Sequence, residues 1–158
     1  MYLANYTREN RLQRRERKYE NHSSKLPNDE AKAHFKALGT LSLQSNEKYF
    51  IPTITSFITK FRANLHYVQE CSGLTKKQFA CIAQISNGLF TRQYNIYLNA
   101  IPLHTFVKVY TTFLIYLPSL DFCDMFTLDF RTTFPFLVEQ QEENRRKLGK
   151  KPLKKAKK

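Results

Sequence analysis

The chain has no tryptophan and only four glycines among its 158 residues. That leaves little for the glycine-dependent hairpins of a β-sandwich or the nucleotide-binding turns of a βαβ fold. Its three cysteines (Cys71, Cys81 and Cys123) are odd in number and show no CxxC spacing. No secretory apolar segment is seen in MYLANYTRENRLQRRERKYE, so the expected compartment is cytoplasmic, with reduced thiols. No hydrophobic run suits a membrane span: the greasiest stretch, 106–126, is broken by Lys108, Pro118 and Asp121. There is no P-loop, no glycine-rich nucleotide fingerprint and no nucleophile motif. The four histidines (His22, His34, His66 and His104) are scattered without metal-ligand spacing. The expectation is therefore a non-enzyme, with no catalytic residues, no metal site, no cofactor and no small-molecule ligand.

What is present is aromatic and basic. Hydrophobic residues make up 42% of the chain, with 13 Phe and 9 Tyr among them, enough for a core dominated by rings. Together with several stretches of 3.6-residue periodicity, this predicts an all-α protein. The formal net charge is +13. Nine Lys or Arg and no acid lie between Arg145 and Lys158, and six basic residues against two acids lie between Arg8 and Lys18. The remainder is neutral but polarised. Residues 60–108 hold Lys60, Arg62, Lys76, Lys77, Arg92 and Lys108 against the single acid Glu70, whereas 109–144 hold Arg131 against six acids. A basic module with basic tails suits a polyanionic partner.

Along the chain, Thr7–Glu20 is highly charged and without an apolar stripe, so it reads either as a charged helix or as disorder. Asn28 and Asp29 are placed to cap a short helix, AKAHFKAL, ending at Gly39. Residues 40–51 read as an irregular connector. From Pro52, the apolar positions Ile54, Phe57, Ile58, Phe61, Leu65 and Val68 trace one face of a long helix that stops near Ser72-Gly73. Further on, Pro102-Leu103 opens a helix whose apolar residues cover most of its circumference, with Pro118 marking its end. Ser119 is placed to cap LDFCDMF. Pro135 opens a last helix, 136–148, with Glu142–Arg146 and Glu143–Lys147 pairs, closed by Gly149. The remaining KKPLKKAKK is expected to be a disordered basic tail.

The most informative stretch is LHYVQECSGLTKKQFACIAQIS, Leu65 to Ser86. Gly73 ends one helix. Thr75, with Gln78 three residues later, has the spacing of a capping box and starts another over about 76–83. That second helix is expected to turn Phe79, Ala80, Ile82 and Ala83 inward. Ala80 and Ala83 are small enough for two helices to meet closely over a short turn. Asn87-Gly88 marks a further turn, followed by a helix to about Leu98 with Phe90 and Tyr94 facing the core. Asn87, Thr91, Arg92, Gln93 and Asn95 would then lie on its outer face. These are residue types that contact base edges and phosphates.

With Leu65 and Val68, Gly73-Leu74-Thr75, Phe79-Ala80, Ile82-Ala83, Ile85-Ser86, Leu103, Phe106–Val109 and Phe113, and the run Leu120–Phe126, region 61–126 resembles the lambda-repressor-like, Cro-type helix-turn-helix family of bacterial and phage regulators. The chain departs from that family at Gln84, at Lys76 and at Asn87-Gly88, which replaces a more helical start of a third-helix segment one residue longer than the family pattern. Gln84 stands where glycine is usual, a substitution that costs about 1–2 kcal/mol if φ is positive. Lys76 stands where the family has Gln.

The resemblance implies a compact five-helix domain that binds double-stranded DNA, with a recognition helix in the major groove. Lys76 and Lys77 would hold phosphates at the start of the second helix, where Gln78 also lies. Asn87, Thr91, Arg92, Gln93 and Asn95 would face bases or phosphates. The implied role is a repressor-like transcriptional regulator, cytoplasmic and nucleoid-associated. Because such proteins commonly bind paired half-sites as dimers, a homodimer is compatible, with 109–144 as a candidate surface.

The domain organisation expected is a charged extension, 1–51, a helix-turn-helix domain, 52–126, a C-terminal helix, 127–148, and a basic tail, 149–158. Two other readings compete: an RNA- or single-strand-binding module using charge and stacked tyrosines, and a protein-interaction module that keeps the helices but not the DNA contact. The absence of any acid between Cys71 and Pro102 favours nucleic acid.

Overall fold

A computed structural model describes residues 8–91 and 101–153. All regular elements among them are helical and none is a strand, so the chain is all-α. None of these helices is long and apolar enough to cross a membrane. The described residues fall into two compact units, one holding 8–54 and the other holding 55–91 with 101–153.

In the first unit, α1 (Arg8–Ser23) is followed by α2 (Asp29–Ser45). The Asn28 side chain caps α2 by accepting from the Ala31 N–H at 2.8 Å. The expected stop at Gly39 does not occur: α2 runs straight through it. Gly39 is buried, and a Cβ there would lie 2.7 Å from a ring carbon of Tyr19. The glycine is needed for the approach of α1, whose Tyr19 ring also meets Phe35 edge-on at 5.3 Å. The expected connector 40–51 is also helical, continuing through a π-helical turn, Asn46–Phe50, into α3 (Ile51–Cys71). Pro52 gives the π turn its reason. It cannot donate to the carbonyl four residues back, and a widened turn relieves the clash of its ring with that carbonyl.

The second unit is built on α3. Phe61, Leu65 and Val68 of the expected stripe are fully buried, while Phe57 stays partly exposed. Around them come α4 (Lys76–Ala83), α5 (Gly88–Thr91), α6 (Leu103–Phe113), α7 (Asp124–Thr127), α8 (Phe130–Thr133) and α9 (Phe136–Lys147). Phe79, Ala80, Ala83, Leu89, Phe90, Val109, Phe113, Met125, Phe130 and Leu137 complete the core. Each fully buried Phe or Leu contributes about 1.5–3 kcal/mol relative to exposure. Phe61, Phe106 and Phe126 form a ring cluster with centroids 4.8–5.8 Å apart. The C-terminal helix shares this core through Leu137.

Three local expectations are corrected here. Ile82 is 55% exposed. At 100° per residue, Phe79, Ala80 and Ala83 form one arc of α4, and Ile82 falls outside it. Helix α6 stops at Phe113, well before Pro118, and turns carry the chain through Leu114–Tyr116. Ser119 caps nothing; the helix expected over LDFCDMF begins only at Asp124, whose own carboxylate accepts from the Asp121 N–H at 3.0 Å. Helix α8, capped by Asp129, was not anticipated.

Candidate nucleic-acid interface

Helix α3 ends where Gly73 takes φ 74°, and the chain turns into α4 within three residues. The capping box forms in full. Thr75 Oγ1 accepts from the Gln78 N–H at 3.2 Å, and Gln78 Oε1 accepts from the Thr75 N–H at 2.9 Å. This fixes where α4 starts, and with it the outward placing of Lys76 and Lys77, both exposed.

The far end of α4 is closed by Gln84 in the left-handed region, φ 55° and ψ 40°. The Ile85 N–H bonds Ala80 O at 3.0 Å and the Gln84 N–H bonds Cys81 O at 3.2 Å. This is the paired closure of a Schellman motif, with glutamine where glycine is usual. Lys108 Nζ donates to Gln84 O at 3.1 Å and pins the turn from α6. Ser86 Oγ then accepts from the Gly88 N–H at 3.2 Å and starts α5.

The site residues expected from sequence fare differently. Lys76, Lys77, Asn87 and Thr91 are exposed along this α4–turn–α5 segment. Gln78 is exposed too, but its carbonyl oxygen is committed to the capping box and to Lys150, 3.1 Å away. Arg92, Gln93 and Asn95 lie outside the described residues, as do Tyr94 and the expected course of the helix to Leu98. Two members of the basic module have structural duties. Lys108 holds the Gln84 turn, and Lys60 donates to Thr127 O at 2.8 Å.

His66 lies beneath this surface, its ring edge-on to Phe90 at 5.4 Å. Burial depresses its pKa most, and the nearby charges of Lys76 and Arg62 depress it further.

Sequence reasoning missed the contribution of the C-terminal segment. Helix α9 crosses Gly73 so closely that a Cβ there would lie 3.1 Å from the Arg145 backbone nitrogen. From it, Gln141 Nε2 donates to Glu70 O and Asn144 Nδ2 donates to Cys71 O, each at 3.0 Å. Lys150 Nζ donates to Gly73 O. Three side chains thus reach carbonyls at and just beyond the end of α3, where helix termini leave acceptors to be filled, although Glu70 O also accepts the Gly73 N–H. Just beyond Gly149, residues 151 and 153 bond back to α9. The Leu153 N–H bonds Glu142 Oε1 at 3.0 Å, and Arg145 Nη2 bonds Lys151 O at 2.7 Å. Residues 154–158 lie outside the described part. The expected Glu143–Lys147 pair forms at 2.9 Å, whereas Glu142 is engaged by the Leu153 backbone.

Among the described residues, no group of three or more His, Cys, Asp or Glu is placed to hold a metal ion. Cys71 is buried, and Cys81 and Cys123 are exposed thiols. No protein-family model, curated protein or solved structure matches the chain.

Proposed function

We propose that the protein is a sequence-specific double-stranded DNA-binding regulator of the Cro-type helix-turn-helix kind. In this reading α3, α4, α5, α6 and α7 correspond to the five helices of that domain. Helix α4 lies across the phosphate backbone, and the segment from Asn87 onward enters the major groove. The observation that carries the reading is the α3–α4–α5 geometry. A positive-φ Gly73 and a full Thr75–Gln78 box start α4, and a left-handed Gln84 directs the chain into α5 two residues after Ser86. Exposed Lys76 and Lys77 at one end and exposed Asn87 and Thr91 at the other provide phosphate and base-edge chemistry. Arg92, Gln93 and Asn95 follow directly in the chain and are the assigned base readers. A repressor-like, nucleoid-associated role and binding as a homodimer to paired half-sites belong to the same proposal.

Selection from a random duplex library tests it. The expected result is enrichment of one short sequence at physiological salt, lost when Arg92→Ala and Gln93→Ala are combined. Equal affinity for every duplex, or tighter binding to single strands, would sink the sequence-specific reading and favour the single-strand module.

A further inference from the structure

We propose that the α1–α2 hairpin is a self-association module: the groove between its two helices packs against the same groove of a second copy, giving an antiparallel four-helix bundle. This gives the homodimer of the reading above its interface, and the interface does not itself depend on DNA binding.

The hairpin has little core of its own. Isolated helices of its length are marginal in water, and most helical stability in proteins comes from packing an apolar face. Yet α1 has 16 residues and α2 has 17, and Gly39 is the one buried residue among those described in 8–54. The two helices run antiparallel: Tyr19 meets Phe35, and Arg15 Nη2 donates to Ser42 Oγ at 3.4 Å. Beside these contacts they leave a groove of about 560 Å³. Tyr19 lines it from α1, and Phe35 and Leu43 line it from α2, all three only half-buried. Two such grooves set face to face enclose these side chains in one interior, the arrangement of a four-helix bundle.

The charges along the groove say what the occupant is. Glu16 and Glu20 edge it on the α1 side, and Lys32 and Lys36 edge it on the α2 side. Each pair is spaced i,i+4, where like charges oppose helix formation. Among the described residues neither glutamate enters an ion pair, nor does Lys36, and Lys32 reaches only Asp29 of its own helix, at 3.6 Å. A two-fold axis running along the groove lays α1 of one copy over α2 of the other, antiparallel to it. The glutamate row of each copy then faces the lysine row of its partner, and symmetry makes the match twice. An axis across the groove would instead stack α1 on α1 and bring like charges together. A single foreign helix would have to carry both signs in register; a second copy does so by construction.

The test uses the full chain and sedimentation velocity over a concentration series. The unmodified chain is expected to sediment as a dimer. Glu16→Lys combined with Glu20→Lys makes both rows basic and is expected to leave a monomer. Lys32→Glu combined with Lys36→Glu makes both rows acidic and is expected to do the same. An equimolar mixture of the two variants is expected to recover a dimer of one copy each, because every row again faces its opposite. That recovery separates lost complementarity from lost folding. The interface is overturned if the unmodified chain stays monomeric, which leaves the groove to another occupant. It is overturned if either variant dimerises as the unmodified chain does, which places the contact elsewhere, 109–144 included. It is also overturned if both variants keep their helical circular dichroism and their mixture stays monomeric. The duplex selection above reads DNA binding separately: a dimer that enriches no duplex keeps this interface and loses that reading, and a monomer that enriches one does the reverse.

Discussion

The side chain of Asn64 accepts from the backbone N–H of Phe130 at 3.0 Å and holds together two parts of the chain that share no local sequence signal. The same carboxamide donates to Met125 O at 3.0 Å and Leu128 O at 2.9 Å. Asn64 is 2% exposed. One buried amide thus terminates α7, starts α8 and attaches both to the middle of α3.

Asn64→Leu should therefore destabilise the second unit by about 2–4 kcal/mol, because three backbone groups lose their partner in a place that water does not reach. Urea unfolding followed by helical circular dichroism measures it. A loss below about 0.5 kcal/mol would mean that the bonds form no part of the folded state's stability. Asn64→Asp should also destabilise at neutral pH, since its carboxylate keeps the Phe130 N–H but faces two carbonyls with no proton to give.

Gln84 holds a left-handed backbone at the end of α4. Gln84→Gly removes the Cβ conflict, worth about 1–2 kcal/mol, and adds unfolded-chain freedom worth about 0.5–1 kcal/mol in the other direction. The expected net result is a gain of about 0.5–1 kcal/mol, seen as a raised urea midpoint. Gln84→Val should lower it. Equal midpoints for the two variants would show that the turn is not left-handed in solution.

His66 should make stability fall with acidification. Its pKa in the folded protein lies below the ordinary value of 6.5 because of burial and then the charges of Lys76 and Arg62. Above about pH 6.5 both folded and unfolded chains carry it neutral, and its full contribution is present. As pH falls below that value the unfolded chain takes up the proton first, so stability declines until the folded histidine titrates too. The urea midpoint should drop between pH 7 and pH 5, and drop less in His66→Gln. The ring-proton titration of His66, read by NMR, should have its midpoint below 6.5; a midpoint at or above that value contradicts the buried, positively surrounded environment.

Much of the framework was legible from sequence because its signals are local. The stripe Phe61, Leu65 and Val68 needs only helical periodicity, Gly73 and Gly149 need only a backbone that must turn left-handed, and Thr75 reaches Gln78 within a single turn. Asn28 likewise announces the start of α2. The same locality explains how Lys76, Lys77, Asn87 and Thr91 were placed on the surface of α4 and α5: once the cap fixes the register, the outward positions follow.

The misses share the opposite cause. Gly39 looks like a helix end in one dimension, and only Tyr19 from another helix makes it a contact point inside one. Ile82 belongs to an apolar pattern, yet small Ala80 and Ala83 let α4 sit so that Ile82 remains outside. Asn64 and Lys150 are polar residues whose partners lie more than sixty positions away. By itself, the sequence determined the helical class, the aromatic core and the caps, since each follows from backbone preference and apolar spacing within a few turns. Only the tertiary structure decided which carbonyls the C-terminal segment would reach, and so brought Lys150 to the start of α4. A long-range hydrogen bond leaves no periodic trace; it exists only once the core has brought its donor and acceptor together.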